Sequence, residues 1–378
     1  MKIKKIISAA AAAFLIAAAA PVPQKAMAED ISYILIEADT GTVLEEKNAD
    51  VRRSCGYMTK LMSLLLIAED METGKFSADD MLTASQSVAG TKGSVIWLEP
   101  GDSLSADELL RGAIIGNAND AVTVLAEKSE GKVDDFVKRM NGEAFNLGLR
   151  ETVFRSPNGC TDEEEYTTVR EFAVICSELV KYDFMLPYFS TWRDFIKNES
   201  VELVNENTLS RTYDRHIGLK AAHSEKSGYC IAEAARDENG ITYIAVVFGA
   251  PDEEASFAEA KRLVKKGFSD YKVTVPGFLD ELLMPMKVTN GVDSAVEIKL
   301  KTQSTVVIPK GVSELHNEII LPEYIDAPVK KDQNIGTAGF YNGDTLVFET
   351  DIVTKNNVER LSYGYILKKI LLNLIGNH

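Results

Sequence analysis

Lys60 is the residue of this chain best placed to do proton chemistry. It lies in residues 58–71, where Leu61, Met62, Leu64, Leu65, Leu66 and Ile67 make a helical pattern apolar almost all round. A helix of that kind is buried, and a buried ammonium is costly unless it is hydrogen-bonded. The amine either sits in a polar site inside the fold or snorkels to the surface on its stem. One helical turn earlier stands Tyr57, whose phenol, with an ordinary pKa of about 10, is mostly protonated. The four histidines, His216, His223, His316 and His378, show no metal-ligand spacing, and no metal or cofactor is expected. The cysteines at 55, 160, 176 and 230 lack paired spacing, which favours free, mostly buried thiols over two disulfides.

The elements that must position these residues are legible in outline. Lys2, Lys4 and Lys5, an apolar run over 6–20 and the small residues Ala26-Met27-Ala28 read as a secretory signal over 1–28, or as an uncleaved membrane anchor. The remaining 350 of 378 residues suggest two domains. Residues 31–37 lead to the turn Asp39-Thr40-Gly41 and a return strand from Val43. Helices are expected over 58–71, 107–115, 121–127, 133–147 and 168–180. Strands follow at 218–220, 229–234 and 242–248, the last two joined at Asn239-Gly240. An amphipathic helix is expected over 257–271. The order suggests an α+β domain with helices on an antiparallel sheet over 29–273.

Beyond Thr274-Val275-Pro276 the texture changes. Val296, Ile298 and Leu300 alternate with charged neighbours, and Asn342-Gly343 marks a hairpin, so 274–360 reads as a small all-β domain. Residues 361–375 are apolar except for one stripe. They are too short to cross a bilayer and suit an interfacial helix, or one docked on the β domain.

Charge narrows the partners. Loss of residues 1–28 takes away four lysines and no acid, leaving 37 of 41 basic residues against 57 acidic, a net charge of −20. That balance argues against nucleic acid as a ligand, since phosphate binding wants a basic surface.

Several segments together resemble the D-alanyl-D-alanine carboxypeptidases, the low-molecular-mass penicillin-binding proteins. The segments are Ile34-Leu35-Ile36-Glu37-Ala38-Asp39-Thr40-Gly41, Asn119-Asp120-Ala121, Ser156-Pro157-Asn158-Gly159, Gly218-Leu219-Lys220 and Ser227-Gly228-Tyr229. Ala327-Pro328-Val329 and Gly336 resemble the carboxy-terminal β domain of the same family, and the terminal helix resembles its membrane anchor. The resemblance implies a penicillin-binding/β-lactamase-like transpeptidase domain, exported and peripheral on the outer face of the cytoplasmic membrane. It also implies a serine nucleophile acting on the D-Ala-D-Ala end of a peptidoglycan stem peptide, with lysine as its base.

Carried over by position, the motifs are broken. Ser-x-x-Lys is Tyr57-Met58-Thr59-Lys60, so Tyr57 holds the nucleophile position and Lys60 the base position. Ser-x-Asn is Asn117-Ala118-Asn119, and Lys-Thr-Gly is Lys220-Ala221-Ala222. Two arginines usual in the family are Glu206 and Ser256 here. Two readings follow. One is a pseudoenzyme that binds a wall peptide or a cell-wall protein. The other is an active serine-type carboxypeptidase whose nucleophile is displaced to Ser54, Cys55 or Ser63.

Overall fold

The computed structural model describes residues 31–161, 164–276, 283–302, 305–312 and 315–375. The expected signal over 1–28 lies outside them.

Five antiparallel strands form the main sheet, in the spatial order Val43–Lys47, Ser32–Glu37, Thr242–Ala250, Gly228–Arg236 and His216–Ser224. Alternation along the strands divides the core in two. Ile34, Ile36, Ile244, Val246 and Phe248 pack into the larger cluster on one face. Leu35, Tyr243, Ala245 and Val247 pack on the other, against Ala260, Leu263 and Val264 of the Glu253–Asp270 helix. Both faces are covered, so the central strands carry almost no exposed side chain.

The larger cluster is built by helices α1 (Lys60–Glu72), α2 (Ala106–Ile114), α3 (Asn119–Glu130), α4 (Val133–Asn146) and α5 (Val169–Leu179). α1 is buried over nearly its whole surface, as its composition requires. Ser105 and Thr168 cap α2 and α5, each hydroxyl accepting from a backbone amide three residues on. The Glu253–Asp270 helix starts four residues before the sequence suggests, because the Asp252 carboxylate accepts the Ala255 amide at 2.7 Å and caps it.

Tyr271–Thr274 leaves that helix and pairs with Val306–Pro309. The remaining chain is strand and turn around a separate core that includes Val288, Ile298, Ala338, Phe340 and Ile352. The Asn334–Asn342 and Thr345–Thr354 strands meet at the Asn342-Gly343 turn. A helix, Tyr363–Ile375, closes the described chain, and residues 361–372 are all exposed. Among the described residues no helix is long and apolar enough to cross a membrane.

Candidate active site

A single turn of 3₁₀ helix, Gly56–Thr59, delivers the chain into α1 and places Tyr57. Gly56 takes φ +49°, a conformation glycine adopts without strain. Two contacts fix the turn from outside. The buried Glu165 carboxylate accepts the backbone amides of Arg155 and Ser156, both at 2.8 Å, and the Thr59 hydroxyl at 3.3 Å. The 155–159 loop is thereby pressed on the turn so closely that a β-carbon on Gly159 would stand 1.9 Å from the Gly56 carbonyl oxygen.

The second wall comes from the segment between α2 and α3. Asn117 sits at φ +54°, which asparagine tolerates better than most residues. The Asp120 carboxylate accepts the amides of Ile96 and Leu98, at 3.1 and 3.0 Å, and Asn119 donates its own amide to the Ser94 carbonyl. These bonds tie the 94–98 segment to the start of α3 and set Gly93 and Ser94 at the cleft.

The third wall is the edge strand His216–Ser224, bearing Lys220, Ala221 and Ala222. Glu206 is brought beside it by two buried asparagines. Asn205 donates to the carbonyls of Phe189 and Thr191, and Asn207 donates to the buried Glu233 carboxylate, which His216 also contacts.

Together these elements enclose a cleft of about 420 Å³ lined by Tyr57, Asn117, Glu206, Ala221, Ala222 and Ser256 among others. A bonded chain runs beneath it. The Lys60 Nζ donates to Asn117 Oδ1 at 2.7 Å, and the Lys220 Nζ donates to the same oxygen at 2.6 Å. The Asn117 Nδ2 donates to both Glu206 oxygens at 3.0 Å. Lys60 is wholly buried, so it does not snorkel. Burial and then the neighbouring Lys220 charge hold its pKa well below the usual lysine range. Burial lowers that of Lys220 to about 8.

Tyr57 turns its ring into this site, with the Lys60 ammonium 4.7 Å from the ring centroid. Its hydroxyl faces Gly93 and lies beside the Cys160 side chain. Burial, then the Cys160 and Glu206 side chains, push the phenol pKa up. At neutral pH the group therefore stays protonated and is a poor nucleophile.

The structure brings Lys60, Asn117 and Lys220 into one bonded cluster beside Tyr57, with Ala221, Ala222, Glu206 and Ser256 at the cleft. Asn119 is adjacent but turned aside, donating to the Lys92 carbonyl at 2.6 Å. None of Ser54, Cys55 or Ser63 lines the cleft. The Ser63 hydroxyl donates to the Pro157 carbonyl at 2.6 Å within the core. Cys55 is fully buried, and burial raises its thiol pKa well above the ordinary range. Cys160, Glu253, His223 and Tyr229 are site neighbours that the sequence reading passed over. Two of them had a signal to find them by: Cys160 directly follows Ser156-Pro157-Asn158-Gly159, and Tyr229 ends the segment Ser227-Gly228-Tyr229. All four cysteines are free thiols, three buried and Cys160 half-buried.

Comparison with known proteins places this geometry. Residues 18–252 match the D-alanyl-D-alanine carboxypeptidase family, and residues 279–360 match the penicillin-binding protein 5 C-terminal domain. The chain is 31% identical to the D-alanyl-D-alanine carboxypeptidase DacF of Bacillus subtilis, over 90% of this chain and 88% of that one. It is 29% identical to DacA of Escherichia coli, over 90% and 87%. Penicillin-binding protein 5 from Haemophilus influenzae superposes with a TM-score of 0.79 at 26% identity, covering 87% of this chain and 97% of that one. The α+β transpeptidase fold with an all-β domain behind it is therefore established, and the chain belongs to the D-alanyl-D-alanine carboxypeptidase family of peptidoglycan metabolism.

Proposed function

We propose that this protein is a catalytically inert member of its family, an exported module that binds a peptidoglycan stem peptide or a cell-wall protein without hydrolysing it. The observation that carries the reading is the Tyr57 ring, which stands at the nucleophile position with the Lys60 amine 4.7 Å from its centroid. The base position is chemically ready, since a lysine of lowered pKa can accept a proton. None of Ser54, Cys55 or Ser63 lines the cleft, and the Tyr57 ring fills space that a scissile carbonyl would need. Ala221 lacks the hydroxyl that the family offers a substrate carboxylate, and Ala222 adds a methyl where glycine allows close approach.

Release of D-alanine from a peptide ending in D-Ala-D-Ala is the direct test. No release above the uncatalysed rate is expected from the purified mature protein. Steady turnover, abolished by replacing Cys55 or Ser63, would establish the displaced-nucleophile reading instead.

The proposed arrangement assigns 29–273 to the carboxypeptidase-like domain, 274–360 to the β domain and 361–378 to a membrane-associating helix on the outer face of the cytoplasmic membrane. Support for the last comes from Leu367, Ile370, Leu371 and Leu372, all exposed on the terminal helix beside Lys368 and Lys369. Deletion of 361–378 should release the protein from liposomes in a flotation assay. Unchanged partitioning after deletion would remove the anchor from the account.

A further inference from the structure

The Asn117 amide is occupied at both ends. Its Oδ1 accepts from the Lys60 and Lys220 ammonium groups at 2.7 and 2.6 Å, and its Nδ2 donates toward both Glu206 oxygens at 3.0 Å. An amide oxygen has two lone pairs, so the two lysines saturate it. Asn117 and Glu206 line the cleft and neither lysine does, which leaves the amide nitrogen as the end that meets the cleft. The Ser256 hydroxyl, in the same wall, is committed to the Glu253 carbonyl at 2.7 Å.

The fold holds Glu206 in that contact. The buried Asn205 donates to the Phe189 and Thr191 carbonyls, and the buried Asn207 donates to the Glu233 carboxylate, which fixes the backbone on either side. The Glu206 charge also acts on the lysines. Burial lowers the pKa of both amines, the Lys220 charge adds to this at Lys60, and the Glu206 carboxylate opposes the shift at each. Glu206 is therefore the counter-ion of the two buried amines, joined to them through one amide. A carboxylate brought by a ligand would need the same donor and the same charges. It would have to displace one that belongs to the chain and competes at a high effective concentration.

We infer that Glu206 makes an autoinhibitory contact: its carboxylate fills, from within the chain, the seat on Asn117 that a ligand's carboxylate would take, so the native cleft refuses peptides that end in a free carboxylate. The inference rests on the proposal that the cleft binds without hydrolysing. It narrows the ligand to a peptide chain that presents no free carboxylate at this seat. Removing the Glu206 side chain bares the Asn117 nitrogen, with the Lys60 and Lys220 charges behind it, and converts the cleft to one that takes an anionic end.

Calorimetry with the full-length protein tests this using diacetyl-L-Lys-D-Ala-D-Ala, which carries one free carboxylate, and its uncharged C-terminal amide. Native protein should bind the carboxylate probe no more tightly than the amide. Glu206→Ala should bind the carboxylate probe at least about tenfold more tightly than native protein does, the effect of one hydrogen bond to a charged group, and leave the amide within about twofold. Glu206→Gln removes the charge but keeps an acceptor on Asn117, so its gain should be smaller, about threefold. The gain of Glu206→Ala should vanish in the double variant with Lys220→Met. No gain in a folded Glu206→Ala, an equal gain in Glu206→Gln, or a gain that survives Lys220→Met would each overturn the inference. If Glu206→Ala does not fold, Glu206→Gln decides alone, and an unchanged affinity for the carboxylate probe overturns it. If native protein released D-alanine from the carboxylate probe, the inert reading beneath it would fall. A missing gain without release would remove this inference alone.

Discussion

A serine placed at position 57 should react with a fluorescent penicillin, but only slowly. Tyr57→Ser restores a hydroxyl one helical turn from Lys60, whose pKa is already depressed by burial. That hydroxyl would still face Asn117 where the family has its second serine, with Ala221 and Ala222 on the edge strand. It would also face Glu206, whose charge opposes an anionic ligand. Each lost interaction costs roughly 1–3 kcal/mol. Three or four together would hold acylation about 10³-fold or more below that of an intact family member. Adding Ala221→Thr and Ala222→Gly should raise the rate by about tenfold or more, because both restore contacts made to the ligand as it reacts. The gel band intensity against time measures all three proteins together. Rapid labelling of the single variant would show that the edge strand and Glu206 matter little, and that the tyrosine alone silences the site.

The second large effect is on stability. Asn117→Leu should destabilise the protein by about 3–5 kcal/mol, the range seen when a buried charge loses its partner. Its oxygen accepts from both Lys60 and Lys220, and its nitrogen holds Glu206. Leucine also fits poorly at φ +54°. Lys220→Met should recover part of the loss in the double variant, since one buried amine then no longer needs an acceptor. Lys220 has a pH signature of its own. Its folded pKa of about 8 lies below the ordinary 10.5. Between these values the native state binds fewer protons than the unfolded chain, so stability rises with pH across that window. Below pH 8 both states are protonated and burial of the charge costs about 3 kcal/mol. Urea unfolding at pH 7 and pH 9.5 should show this rise in the native protein and a smaller one in Lys220→Met. An identical rise in both proteins would mean that Lys220 is not held in the way described.

Much of the fold was legible in local pattern. The all-round apolar run of α1 announced a buried helix, and Asp39-Thr40-Gly41, Asn239-Gly240 and Asn342-Gly343 each fall between paired strands. The alternation at Val296, Ile298 and Leu300 falls on strands of the C-terminal domain, whose core includes Val296 and Ile298. Boundaries were less legible. Tyr57 lies on a 3₁₀ turn that starts at a glycine of positive φ and runs directly into α1. The Glu253–Asp270 helix begins at an aspartate cap that hydrophobic periodicity does not register.

The candidate site was visible as a set of positions, but its bonding was not. Lys60 could be read as buried or snorkelling, and only its contact with Asn117, fifty-seven residues away, separates the two. The bond from Asn117 to Glu206 spans 89 residues and has no local signature. Asn119 turns to the Lys92 carbonyl, a backbone partner that side-chain identity cannot reveal. Cys160 reaches Tyr57 because Gly159 and Gly56 lack side chains and let two loops meet.

The claim at the centre of this account is that the cleft cannot form an acyl enzyme. Intact-mass spectrometry of the purified mature protein, after prolonged exposure to excess benzylpenicillin, tests it most directly. The account expects the mass of the untreated chain and no adduct. A stoichiometric gain of one penicilloyl group, mapped by peptide digestion to any residue lining the cleft, would contradict it.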